Sequence, residues 1–105
     1  MQIIKNKNVL LVVDVQNDFC LGGALAVPDG DAVVPVINRI AKGFYRVVAT
    51  QDWHPENHVS FVLRNPGAQS YEVTDWDGSS QVLWPVHCVA GTKGAAFHPL
   101  LDDSR

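Results

Sequence analysis

Asp52 and His54 stand two residues apart, directly after the run Tyr45-Arg46-Val47-Val48-Ala49-Thr50. That run reads as a buried β-strand. If the backbone stays extended beyond it, a carboxylate and an imidazole at this spacing face the same way. Such a pair grips a divalent metal through mixed oxygen and nitrogen ligands, and His87, in Trp84-Pro85-Val86-His87-Cys88, offers a third donor. Two histidines and one carboxylate leave positions open for water or substrate, the pattern of a working rather than a structural site. Asp-x-His alone is short, however. A strand-end aspartate bracing a turn beside a polar loop histidine explains it about as well. His58 lies four residues past His54, across Pro55, and is the weaker candidate. It could instead hydrogen-bond the ligands from outside. His98, in Phe97-His98-Pro99, reads as structural.

Asp14 ends the apolar run Val9-Leu10-Leu11-Val12-Val13. A partly desolvated carboxylate at a strand end suits proton transfer, although bracing a loop is the commoner fate of such a residue. Asp18, four positions on, fits the bracing role better. Cys20 and Cys88 do not open a helix and lack the surroundings of a reactive thiol, so both read as small buried hydrophobes. Phe19, Trp53 and Trp84 flank the polar groups, and aromatic walls of this kind suit a small planar ligand as readily as they fill a core. Gly22-Gly23 lacks the spacing of a phosphate or dinucleotide loop.

The elements that must position these residues follow from the hydrophobic pattern. Residues 9–13 form a continuous apolar run, which predicts a parallel strand covered on both faces. Pro28-Asp29-Gly30-Asp31 is turn chemistry. Val33, Val34, Ile37, Ile40 and Ala41 then recur at helical spacing, with Pro35 tolerated in the first turn and Gly43 as a stop. The strand from Arg46 to Thr50 follows. Strand, helix and strand make a βαβ unit with a right-handed crossover. Asp14 and Asp52 then converge at the carboxyl edge of neighbouring parallel strands, where ligands of open α/β sheets bind. Beyond His58 the chain is rich in glycine and proline, with short extended pieces around Ser80 to Leu83. A loop-rich stretch of this length suggests function.

The 105 residues, 47% hydrophobic, bound the chain to at most one folded domain. A net charge of −3 carries no basic footprint for nucleic acid. No apolar run approaches the ~20 residues that span a bilayer. The N-terminus lacks the order of a signal peptide, and two widely spaced cysteines suggest reduced thiols, so a cytoplasmic setting is expected. Two strands and one helix do not cover both faces of a parallel sheet. Residues 1–105 are therefore expected to be the N-terminal portion of one larger α/β domain.

Taken together, Asp14-Val15-Gln16-Asn17-Asp18-Phe19-Cys20, Gly22-Gly23-Ala24-Leu25-Ala26-Val27, Thr50-Gln51-Asp52-Trp53-His54-Pro55, Trp84-Pro85-Val86-His87-Cys88-Val89, Gly91-Thr92 and Phe97-His98-Pro99 resemble nicotinamidase/pyrazinamidase. This is a branch of the isochorismatase-like cysteine hydrolases. The resemblance runs in order over nearly the whole chain. It implies part of a doubly wound parallel α/β sheet and hydrolysis of nicotinamide to nicotinate and ammonia, a step of NAD salvage. It further implies that Asp14 is the catalytic aspartate, that Asp52, His54 and His87 are metal ligands, and that Phe19 and Trp84 sandwich the substrate ring. Zinc is the first expectation for the metal, and iron and manganese accept the same ligands. The family also uses a lysine and a cysteine nucleophile from the second half of the domain. Lys93, Cys20 and Cys88 do not stand at the matching positions, so a complementing C-terminal segment or chain is expected to supply both. A catalytically inert metal- or ligand-binding module, and a related hydrolase of another small amide, are the alternatives. Homo-oligomerisation stays open.

Overall fold

β1 (Val9–Val13) and β2 (Arg46–Thr50) pair in parallel, with Val9 beside Arg46, Leu11 beside Val48 and Val13 beside Thr50. The computed structural model describes residues 7–76 and 78–102, and only the backbone of Trp76. The N-terminal approach to β1, which lacks the order of a signal peptide, lies outside the described residues. Asn8 fixes where pairing begins: its carbonyl accepts the Arg46 N–H and its side-chain oxygen accepts the Tyr45 N–H.

A parallel pair needs a crossover, and α1 (Val33–Ile40) supplies it, flanked by 3-10 turns at Gly30–Ala32 and Ala41–Gly43. Asp29 enters the first of these turns at φ 56°, a left-handed conformation that aspartate tolerates better than most side chains. The apolar stripe of α1 lies over one face of the sheet. Val12, Val15, Val34 and Leu101 form the buried cluster, with Leu10, Ile37, Val47 and Phe97 packed against it.

The other sheet face is open, as the count of two strands and one helix implies. Val9, Leu11 and Val13 are 52–59% exposed, and Val48 on β2 is 47% exposed. Apolar parallel strands call for cover on both faces, and among the described residues α1 and its neighbours supply it on one. The alternation of a strand explains the split, because Leu10 and Val12 point to α1 and their neighbours point away.

After β2 the chain makes a further antiparallel pair, β3 (Val73–Trp76) with β4 (Ser79–Val82). Only the second of these strands is foreseen in the sequence. The remaining turns are tied back by isolated bridges, His54 to Val89, Phe61 to Trp84 and Gln16 to Phe97. No described helix is long and apolar enough to cross a membrane. Cys20 and Cys88 are both free thiols, and both are buried.

The core assignment predicts a contrast within α1. Val34→Ala should cost about 2 kcal/mol from lost burial and the cavity left behind. Val36→Ala, at an exposed position, should change stability by under about 0.5 kcal/mol. Urea unfolding of both variants measures the difference, and equal losses would contradict the packing.

Candidate metal centre

The strand pairing carries Thr50 to the side of Val13, and both strands end there. Asp14 turns out of β1 at φ 55°, in the left-handed region that a non-glycine residue occupies only when its surroundings hold it. Thr50 does the holding. Its carbonyl and Oγ1 both accept the Asp14 N–H, at 3.3 and 3.1 Å, and its hydroxyl donates to Asp14 Oδ1 at 2.8 Å. The Asp14 carboxylate is thereby fixed at the sheet edge, half-buried.

Asp52 and His54 follow two and four residues after Thr50 with their side chains on the same side, as the extended spacing predicts. Trp53 takes the opposite side and is 54% exposed, so it does not wall the site. His54 is locked into the backbone of the third ligand segment. Its N–H donates to the Cys88 carbonyl and its own carbonyl accepts the Ala90 N–H, both at 2.8 Å. His87 is thus held beside His54, with ring centroids 4.8 Å apart. Cys88 occupies φ 49°, a second strained residue at the site.

The three candidate ligands converge: one donor atom from each of Asp52, His54 and His87 lies within 4.8 Å of the others. His54 Nε2 is 3.3 Å from Asp52 Oδ1, and His87 Nε2 is 3.3 Å from Asp52 Oδ2. Donors about 2.1 Å from one tetrahedral zinc stand about 3.4 Å apart, so the spacing suits a shared ion. The ring tautomers agree. His87 Nδ1 faces the Pro85 carbonyl at 2.7 Å and His54 Nδ1 faces the His87 carbonyl at 3.3 Å. A carbonyl only accepts, so each Nδ1 carries a proton, and Nε2 is the ring atom left to ligate a cation beside Asp52. Two Nε2 atoms and a carboxylate facing one point fit a divalent cation.

His58 stands outside this group. Its Nδ1 accepts the Ser60 N–H at 3.1 Å and pairs with Ser60 Oγ at 2.7 Å, while its ring packs 4.7 Å from that of His54. Phe61 is a participant that sequence reasoning passes over. It is fully buried, and its ring lies 5.2 Å from that of His54 and 5.6 Å from that of His87. Phe19 and Trp84 also border the centre, with ring centroids 5.7 and 6.4 Å from that of His87.

The cysteines are not poised as nucleophiles. Burial, then the negative charges of Asp52, Asp18 and Asp14, push the Cys88 thiol up to about 12. Burial and then Asp31 raise Cys20. Cys20 does lie in a second group of metal-type donors with Asp31 and His98, beside an open cleft of about 390 Å³. That histidine is already committed. His98 Nδ1 accepts the Leu100 N–H at 3.1 Å, so Nε2 carries the proton and donates to Asp31 Oδ2 at 2.9 Å. Asp31 Oδ1 accepts the Leu21 N–H at 2.7 Å. Asp31 and His98 thus strap the loop after β1, at Leu21, to the Phe97-His98-Pro99 turn, in keeping with a structural His98.

Residues 8–105 match the isochorismatase domain family. A nicotinamidase of Escherichia coli (strain K12) is 52% identical over 97 residues, covering 88% of this chain and 45% of that protein. The solved nicotinamidase/pyrazinamidase of Acinetobacter baumanii superposes with a TM-score of 0.91 at 52% identity, over 95% of this chain and 49% of that one. The pyrazinamidase of Pyrococcus horikoshii, solved in complex with zinc, superposes at 0.67 with 42% identity, over 93% of this chain and 48% of that one. The chain spans about half the length of the relatives it matches.

Two outcomes follow from this geometry. Asp52→Asn, His54→Ala and His87→Ala should each weaken zinc binding more than about 100-fold, beyond the usual loss for an outer partner. His58→Ala should cost less. Competition against a chromogenic chelator measures this, and a His58→Ala loss equal to that of His54→Ala would contradict the three-ligand assignment. The second outcome concerns Asp31, whose carboxyl is held below its usual value by the Leu21 N–H first, against the opposing effect of burial, with His98 adding to the lowering. A lowered folded-state value stabilises above the unfolded carboxylate pKa and is lost as pH falls through the folded value. The thermal midpoint of the parent should therefore exceed that of Asp31→Asn at neutral pH, and the gap should close in acid.

Proposed function

The chain belongs to the isochorismatase domain family, and from that premise we propose that it forms the metal-holding and proton-transferring part of an amidohydrolase. The reaction converts nicotinamide, and pyrazinamide-like amides, to the acid and ammonia. The observation that carries this reading is the convergence of Asp52, His54 and His87 through two imidazoles whose Nδ1 protons are tied to backbone carbonyls. When bound, a divalent metal, zinc first, supplies an electrophilic anchor for the substrate's ring nitrogen.

The residues around that anchor have separable tasks. Phe19 and Trp84 border the ligand group and offer flat apolar faces to a heteroaromatic ring. Asp14, fixed by Thr50, accepts the proton of an attacking thiol and returns it to the departing ammonia. The thiol itself is not Cys20 or Cys88, since both are buried and both are raised away from the thiolate. A complementing segment or chain supplies the cysteine and a lysine. This accords with the coverage of only about half the length of the relatives.

Ammonia release tests the proposal. The zinc-loaded chain alone should release none from nicotinamide. Joined to a complementing segment that carries the lysine and cysteine, it should turn over nicotinamide and pyrazinamide but not benzamide, which lacks the ring nitrogen. Asp14→Asn should lower that rate by about 100- to 10,000-fold, the usual range for a general acid–base group. Turnover by the 105-residue chain alone would overturn the need for a second segment. Zinc binding without ammonia release in the joined protein would leave an inert binding module.

A further inference from the structure

The loop that leaves β1 contributes more than Asp14. Its backbone is nailed along one side to residues 94–98. The Asn17 N–H donates to the Ala96 carbonyl, the Asp18 N–H to the Gly94 carbonyl, and the His98 N–H to the Val15 carbonyl, each at 2.9 Å. Two side chains reach the other way, to the two segments that carry the candidate metal ligands.

Gln16 is fully buried, and its amide is saturated. Oε1 accepts the Asp52 N–H at 2.8 Å, while Nε2 donates to the Asp52 carbonyl at 2.8 Å and to the Ala95 carbonyl at 2.7 Å. The side chain thus reads both polar groups of residue 52, as a neighbouring strand would. Asp18 does the corresponding work at the other segment. Its Oδ2 accepts the Cys88 N–H at 2.7 Å and its Oδ1 accepts the Ala24 N–H at 3.1 Å. The first is a short, charge-assisted bond to a residue at φ 49°, immediately after His87. Without it, Cys88 has less reason to stay in a left-handed conformation that a non-glycine residue adopts only when its surroundings hold it. Gly94 makes room for this carboxylate, because a Cβ there would overlap both Asp18 carboxylate oxygens.

We propose that Gln16 and Asp18 are positioning residues that set the metal centre's ligand geometry, Gln16 by clasping the peptide groups of Asp52 and Asp18 by holding the Cys88 peptide that presents His87. The inference rests on the metal reading of Asp52, His54 and His87. One loop then supplies the proton-transferring Asp14 and aligns two of the three ligands, so that proton transfer and substrate anchoring share one frame.

Zinc titration of the full chain tests this, with the apo thermal midpoint measured beside it. Gln16→Glu and Asp18→Asn both keep the side-chain shape. Gln16→Glu sets an oxygen against the Asp52 and Ala95 carbonyls. Asp18→Asn removes the charge and leaves an N–H against either the Cys88 or the Ala24 N–H. Each should weaken zinc affinity by about 10- to 100-fold, the range for partners that orient ligands. Each should also shift the visible spectrum of the cobalt-loaded protein, which reports coordination geometry. Gly94→Ala removes no hydrogen-bonding group and should have the same effect by displacing Asp18. Asn17→Ala breaks an exposed bond from the same loop to the Lys93 carbonyl and should leave affinity and spectrum unchanged. Folded variants with parental zinc affinity and cobalt spectrum would overturn the inference, as would an Asn17→Ala loss equal to the others. If the unsubstituted chain fails to bind zinc, the metal reading falls and takes this inference with it. Parental binding with unaffected variants overturns the positioning role alone.

Discussion

The parallel pairing of β1 with β2 is the constraint on which the rest depends. Thirty-six residues separate Asp14 from Thr50, yet the register brings Val13 beside Thr50 and so makes their hydrogen bonds local. A parallel pair requires the crossover through α1, and the crossover requires the buried contacts of Val34 and Ile37 against Val12 and Val47. Burial at the helix and chemistry at the strand ends are therefore linked. Loss of the α1 contacts would loosen the register that holds Asp14 against Thr50.

At the strand ends, hydrogen bonds to backbone do most of the positioning. Asp14 is held by Thr50, Asp52 by Gln16, Cys88 by Asp18 and His54 by the Cys88 and Ala90 peptides. This suits a site drawn from loops. Loop backbone has no ladder of its own, and unpaired buried peptides are costly, so side chains that satisfy them also fix where the loops run. The same economy sets the imidazole tautomers. Two carbonyls take the Nδ1 protons, and the two Nε2 atoms meet at Asp52.

Much of this was legible in the sequence, for particular reasons. Val9–Val13 and Arg46–Thr50 are apolar runs with polar stops, and the helix between them keeps a clear period. Asp52 and His54 share a side because extended backbone alternates, and Asp18 serves as the brace that its position suggests. Other features leave no such trace. Gln16 acts across 36 residues on a peptide group, and no spacing rule reports that. Phe61 resembles any core aromatic until the fold sets it beside the two histidines. The β3–β4 hairpin carries one local signal, the Asp77-Gly78 pair, but its strands include Thr74, Asp75, Ser79 and Ser80 and lack an alternating apolar pattern. The exposure of Leu11 and Val13 is legible as well, because two strands and one helix leave one sheet face without cover.

The central claim is that Asp52, His54 and His87 together hold one divalent cation. Anomalous diffraction from crystals grown with zinc, collected on both sides of the zinc absorption edge, tests it most directly. One strong peak is expected, bonded to Asp52 and to Nε2 of both His54 and His87, with both Nδ1 atoms still on their backbone carbonyls. A peak at Cys20, Asp31 and His98 instead, or zinc held through Nδ1, would contradict it.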